Sequence, residues 1–201
     1  EKDGVWEPRP GAPIFEKMQD PCVTFVGDEL VFGGVMYPIP MADGGQGWHM
    51  CFYRGRSLDT LQPFLTGPDM MKDIRLKQLR DERIAVLTRP HLGHGGRGKI
   101  GMVIVDSLEA ITSAAIDAAP LFELCQAEEW VGANEAHLLA NGKLGVLGHI
   151  ACFDSQEARH YYPMVFCVDP ATGRATLPRI IAERADFPAG PAKRPDLVDI
   201  I

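Results

Sequence analysis

Three stretches of the chain repeat one plan: an acidic residue, a short apolar run, a tight polar turn and a second apolar run. The first reads Asp20-Pro21-Cys22-Val23-Thr24-Phe25, a Gly27-Asp28 turn, then Leu30-Val31-Phe32-Gly33-Gly34. The second reads Asp73-Ile74-Arg75-Leu76, a polar Arg80-Asp81-Glu82 turn, then Ile84-Ala85-Val86-Leu87. The third reads Glu135-Ala136-His137-Leu138-Leu139, an Asn141-Gly142 turn, then Leu144-Gly145-Val146-Leu147-Gly148. Gly-Asp and Asn-Gly are residues that hairpin turns prefer, so each copy predicts a hairpin headed by a carboxylate. Such a unit cannot bury its apolar faces alone and must stack on its neighbours.

A third apolar run follows each hairpin: Met50-Cys51-Phe52-Tyr53, Gly101-Met102-Val103-Ile104-Val105 and Met164-Val165-Phe166-Cys167-Val168. Leu121-Phe122-Glu123-Leu124 and the run from Thr176 to Ile181 are candidates for fourth, outer strands. Four antiparallel strands recurring roughly every 50 to 65 residues is the spacing of propeller blades with loop insertions. Gly 21 and Pro 16, spread along the chain, agree with many short strands joined by turns. The expectation is an all-β chain, residues 1–201 forming one β-propeller domain with blades starting near residues 20, 73, 135 and 199. Asp199 occupies the acidic slot of the fourth blade, so the chain supplies about three blades and the start of a fourth. A ring needs at least about four blades, and a longer polypeptide or an assembly is expected to complete it. One helical pattern, Leu108, Ile111, Ala115 and Ala118, marks residues 108–119 as a helix or, alternatively, a wandering loop.

In a propeller the innermost strands flank a central channel, so side chains at their starts converge. Carboxylates gathered in a partly dry funnel push one another's pKa values apart, leaving one ionised while another keeps its proton. Glycoside cleavage needs that pairing: a base or nucleophile on one side of the bond and a protonated acid on the other. Asp20, Asp73 and Glu135 are therefore the candidate catalytic residues. The plainer reading of an acidic residue at a strand start is a turn cap, and Lys72 and Arg75 offer Asp73 a structural ion pair.

These motifs carry a resemblance. Gln19-Asp20-Pro21-Cys22-Val23 resembles the Asp-Pro-x-Val opening of five-bladed glycosidases and their relatives: arabinanases and β-xylosidases, invertases and mannoside phosphorylases. Lys72-Asp73-Ile74-Arg75 is similar to their second-blade Asp-Pro-Arg motif, with Ile74 in place of proline. Asn134-Glu135-Ala136-His137 resembles the third-blade Glu-Gly/Ala-Pro-His motif, again without the proline. Across nearly the whole chain the likeness is to the propeller family of bacteria and kinetoplastids called domain of unknown function 1861. The resemblance implies a five-bladed propeller and a glycosidase-like enzyme, acting by hydrolysis or phosphorolysis. On the arabinanase pattern Asp20 is the general base, Asp73 tunes the acid and Glu135 protonates the leaving oxygen. On the invertase pattern Asp20 is a nucleophile. On the phosphorylase pattern Asp73 is the acid and inorganic phosphate, as co-substrate, replaces water. The alternatives are a carbohydrate-binding propeller without catalysis and a protein-interaction propeller.

Around the carboxylates, Arg75, His137, Trp48, Tyr161 and Asp199 are expected to bind substrate, with Arg97 and Lys99 reaching over the channel from a Gly-rich loop. That loop, Gly93-His94-Gly95-Gly96-Arg97-Gly98-Lys99-Ile100, approaches a phosphate-cradling sequence. Ile100 brings no hydroxyl for magnesium and a strand pattern follows, so a nucleotide site is not expected. The six histidines lack zinc-ligand spacing, and no metal or organic cofactor is expected. A net charge of -7 argues against nucleic acid and anionic lipid and favours a neutral oligosaccharide or glycoside. Five cysteines without a CxxC pair, and no apolar run of bilayer length or signal-peptide pattern, point to the cytoplasm.

Overall fold

A computed structural model of the chain describes Gly4, residues 7–191, Asp196 and Leu197. The fourth-blade start and Asp199 lie outside the described residues.

The described chain is all-β, with three antiparallel sheets. The first sheet runs in sequence order through β1 (Met18–Val26), β2 (Glu29–Pro40), β3 (Gln46–Gly55) and β4 (Gln62–Thr66). The second holds β5 (Arg75–Gln78), β6 (Ile84–Thr88) and β7 (Gly101–Val105). The third holds β8 (Trp130–Leu138), β9 (Leu144–Phe153) and β10 (Arg159–Asp169), with the short β11 (Arg174–Ala175) and β12 (Arg179–Ile180) both pairing the outer edge of β10. The outer strand expected at residues 121–124 does not form. Only an isolated bridge joins Gly101 to Leu121, flanked by hydrogen bonds from the Met102 N–H to the Pro120 carbonyl and from the Phe122 N–H to the Ile100 carbonyl.

Between the sheets lie two cores, and β6 serves both. All five of its residues are buried, which is why it reads as a continuous apolar run rather than an alternating one. Ile84 and Val86 pack with Val31, Val35, Met50 and Phe52 of the first sheet. Ala85 and Leu87 turn the other way, onto Val131, Ala133, Leu144 and Val146 of the third. Successive side chains of a strand point to opposite faces, so this one strand ties three sheets together. As a result β5 lies beside both β1 and β8, and the first strands of the three sheets are neighbours.

The helical pattern at residues 108–119 resolves into a 3-10 turn, Leu108–Ala110, and a short helix α1 (Ser113–Asp117). Thr112 caps that helix by accepting a hydrogen bond from the Ala115 N–H at 3.1 Å. Leu108, Ile111 and Ile116 are buried in the first core. Among the described residues no helix is long and apolar enough to cross a membrane.

Candidate functional site

The acidic residues heading the first two sheets share a local geometry. The β1–β2 ladder breaks between Gln19 and Cys22, then runs uninterrupted from the Cys22–Gly33 pair. The β5–β6 ladder begins at the Arg75–Leu87 pair. Asp20 and Asp73 each stand two residues ahead of those pairs, and both have left-handed backbones, with φ of 48° and 59°. Left-handed φ is uncommon outside glycine and most tolerated by Asp and Asn. In β8 the break lies between Ala133, opposite Gly148, and Glu135, opposite Leu147. Glu135 therefore matches Cys22 and Arg75, and the position matching Asp20 and Asp73 is Ala133. The extra residue, Asn134, reverses the alternation, as a β-bulge does. The register equivalence expected of Glu135 does not hold.

Asp20, Asp73, Arg75 and Asn134 line a cavity of about 560 Å³, whose other walls include Lys72, Arg89, His149 and Tyr161. This is the size of a small-molecule site. Asp20, at its exposed mouth, has no hydrogen-bond or ion-pair partner among the described residues. Asp73 is buried, only 6% exposed, and its ion-pair partner is a cation. Arg89 Nη1 lies 3.4 Å from Asp73 Oδ2 and His149 Nε2 lies 3.9 Å from the same oxygen. That oxygen nevertheless has no hydrogen bond. The ion pair expected with Lys72 or Arg75 is made instead with Arg89. Arg75 Nε donates to the Asn134 carbonyl at 2.6 Å and Nη1 to its neighbour's, Ile74, at 2.9 Å, linking the second sheet to the third.

Arg89, just past the end of β6, and His149, within β9, occupy matching places, two residues beyond Leu87 and Leu147, the partners of Arg75 and Glu135. Arg89 Nε donates to the Val131 carbonyl at 2.6 Å, which fixes the guanidinium beside Asp73. His149 Nδ1 is 3.0 Å from Asn134 Oδ1, a contact that orients the ring with Nε2 on the side of Asp73. Burial pushes the His149 pKa down to about 4; Asp73 opposes this, and Arg89, Lys72 and Arg75 reinforce it. The ring is neutral at pH 7.

The remaining expected residues separate into three groups. Trp48, Arg97 and Tyr161 line an adjoining recess of about 290 Å³ that shares Lys72, Arg89 and Tyr161 with the main cavity. Glu135 and His137 line neither space; they pair with each other at 3.0 Å and are both about two-thirds exposed. Lys99 points away onto Glu123 at 3.0 Å. The Gly-rich loop folds back on Arg89: a Cβ at Gly98, whose φ is 131°, would lie 2.7 Å from Arg89 Nη2. Among the described residues no cluster of three or more His, Cys, Asp or Glu side chains could hold a metal ion.

Sequence reasoning missed Arg89, Asn134 and the placement of His149. The repeat held a signal for two of them. In units two and three the second apolar run is followed two residues after Leu87 and Leu147 by a polar ring or guanidinium, against Val35 in unit one. Asn134 had no such mark, because only the ladder register reveals it as the extra residue.

The chain is similar in structure to MPT-4, a mannose phosphorylase from Leishmania mexicana solved in complex with phosphate ion. The TM-score is 0.82 and the identity 35%, over 91% of this chain and 57% of that one. It is also similar to MPT-1, a GDP-Man-dependent mannosyltransferase from the same organism, with TM-score 0.77, 33% identity and coverage of 91% and 58%. A hypothetical protein from Leishmania major matches with TM-score 0.77, 32% identity and coverage of 90% and 56%. This chain thus spans less than two thirds of the length of each. No curated protein sequence matches it. Over residues 1–201 the sequence matches the family described as protein of unknown function (DUF1861), and the chain belongs to that family.

Proposed function

We propose that the chain forms part of a five-bladed β-propeller enzyme that cleaves a glycosidic bond by phosphorolysis, with Asp73 as the proton donor. The observation that carries this reading is the setting of Asp73: buried at the wall of the cavity, with an oxygen free of hydrogen bonds, 3.4 Å from Arg89, in a lining that also holds Arg75 and Lys72. Such a concentration of cations in a chain of net charge -7 suits an anionic co-substrate better than water. The likeness to a mannose phosphorylase solved with phosphate supports the same choice.

In this reading a phosphate oxygen bonds to the anomeric carbon as the bond from that carbon to the glycosidic oxygen breaks. Asp73 gives its proton to the departing oxygen. Arg89, already fixed by the Val131 carbonyl, then balances the carboxylate that remains, without reorganisation. His149, neutral and oriented by Asn134, adds no further positive charge beside Asp73. Glu135, outside the cavity and paired with His137, receives no role as the acid in this reading.

One observation favours hydrolysis as a second reading. Asp20 presents an unpartnered carboxylate at the cavity mouth, where it could activate water or attack directly.

The test is a panel of mannosides and other oligosaccharides, with and without inorganic phosphate, assayed for sugar 1-phosphate and for free reducing sugar. Phosphorolysis requires sugar 1-phosphate that forms only with phosphate and disappears in Asp73→Asn. Free sugar released at the same rate without phosphate overturns it in favour of hydrolysis. Sugar binding with no turnover by either route overturns both in favour of a carbohydrate-binding propeller.

A further inference from the structure

The recess beside the main cavity is chemically unlike it. Its volume is about 290 Å³, and no carboxylate lines it. Four permanent cations do: Lys72, Arg89, Arg97 and Arg159. Arg89 is held by Asp73 and Arg159 by Asp196, each at 3.4 Å. Lys72 and Arg97 have no carboxylate within ion-pair distance among the described residues.

Two of these cations are brought together by one ring. The Arg97 guanidinium lies 5.5 Å from the centre of Phe153 and that of Arg159 lies 5.3 Å from the same centre. An aromatic face attracts each of them, but like charges gathered at one ring repel, and an oxyanion between them removes that repulsion. The positive field is felt by a neighbour: His91, in the same recess, has its pKa lowered by burial and by Arg89 and Lys72. The other walls are Trp48, Trp130 and Tyr161, broad rings suited to the apolar face of a sugar.

Continuity with the main cavity decides what kind of anion fits. Lys72, Arg89 and Tyr161 belong to both spaces, so a group in the recess can be covalently joined to a sugar in the cavity. We propose that the recess is a subsite for an oxyanion substituent, a phosphate ester or a carboxylate, carried by the sugar that occupies the main cavity. The substrate is then an acidic glycoside rather than the neutral one that the overall charge suggested. This inference rests on the reading of the main cavity as a sugar site, but not on the chemistry assigned to Asp73.

The test is equilibrium binding to the purified protein, by titration calorimetry, of mannose, mannose 6-phosphate, mannuronate and inorganic phosphate. Mannose 6-phosphate or mannuronate should bind at least tenfold more tightly than both mannose and inorganic phosphate. Which of the two shows the advantage identifies the substituent. The Arg97→Gln variant, altered at an exposed loop position, should lose most of that advantage, and Arg97→Lys should keep part of it. In the same titration the protonation midpoint of His91, followed by NMR, should rise when the acidic sugar binds. Equal affinity for the acidic sugar and inorganic phosphate would mean that the recess takes free phosphate, and overturns the proposal. So does an acidic sugar that binds no better than mannose, or an advantage that survives Arg97→Gln. Repeating the titration with Asp73→Asn, and assaying that variant for sugar 1-phosphate formation, separates the two readings. If that variant still turns over substrate by phosphorolysis, the role of Asp73 falls while the subsite stands on its binding data.

Discussion

Asp20 and Asp73 stand at matching positions of neighbouring strands, each two residues ahead of an unbroken ladder and each in a left-handed backbone, yet their surroundings are opposite. Asp73 is buried against Arg89, whereas Asp20 is exposed and unpartnered. If Asp73 is the proton donor, Asp73→Asn lowers kcat by about 10²–10⁴-fold. Under phosphorolysis Asp20→Asn costs less than about tenfold. Steady-state kinetics on both variants check this, and a comparable loss in the two would place Asp20 in the reaction as well.

His149 makes stability depend on pH. Its folded pKa of about 4 lies below the ordinary value of 6.5, so between those values the unfolded chain binds more protons than the folded one. The contribution is fully present above pH 6.5 and is lost as the pH falls toward 4. Its ceiling is on the order of 3 kcal/mol. Urea midpoints measured from pH 4 to pH 7.5 should fall with decreasing pH in the native chain, and fall less in His149→Gln.

Gly132 is required by the site rather than by its backbone. A Cβ there would lie 2.6 Å from Asp73 Oδ2 and would collide with the His149 ring. Gly132→Ala should cost about 1–3 kcal/mol of stability through overpacking, and reduce turnover at least as severely as any other substitution outside the carboxylates. Thermal unfolding and kcat measured side by side would show the two effects.

Arg75 is a structural link between sheets as well as a cavity wall. Removing its side chain in Arg75→Ala leaves the Asn134 and Ile74 carbonyls without their donor. The expected loss is roughly 2–4 kcal/mol, read from the denaturant midpoint. Lysine cannot reproduce the forked geometry, so Arg75→Lys should recover only part of it.

Glu135 pairs with His137 on an exposed face of β8. Glu135→Gln should therefore change kcat/KM by less than about threefold, because exposed pairs contribute little. A loss of about a hundredfold or more would restore it as the acid.

Much of the fold was legible in the chain because turn chemistry and apolar patterning are local. The Gly27-Asp28 and Asn141-Gly142 turns marked two hairpins, and the runs at residues 84–87 and 101–105 became β6 and β7 nearly residue for residue. The pattern at residues 108–119, open to a helix or a loop, is in part each: Leu108 and Ile111 enter the core from a turn and its flank, and only Ser113–Asp117 is helical. Asp20 and Asp73 were also visible, because each heads a repeat. What the chain could not disclose was register. One extra residue in β8, Asn134, moves Glu135 out of line and puts Asn134 into the cavity instead. Arg89 and His149 reach Asp73 only because β6 and β9 bring them back beside it. The sequence by itself determined which segments are strands and where they turn. Only the tertiary structure decided which charges meet, because a single-residue slip in pairing redirects a side chain to the opposite face.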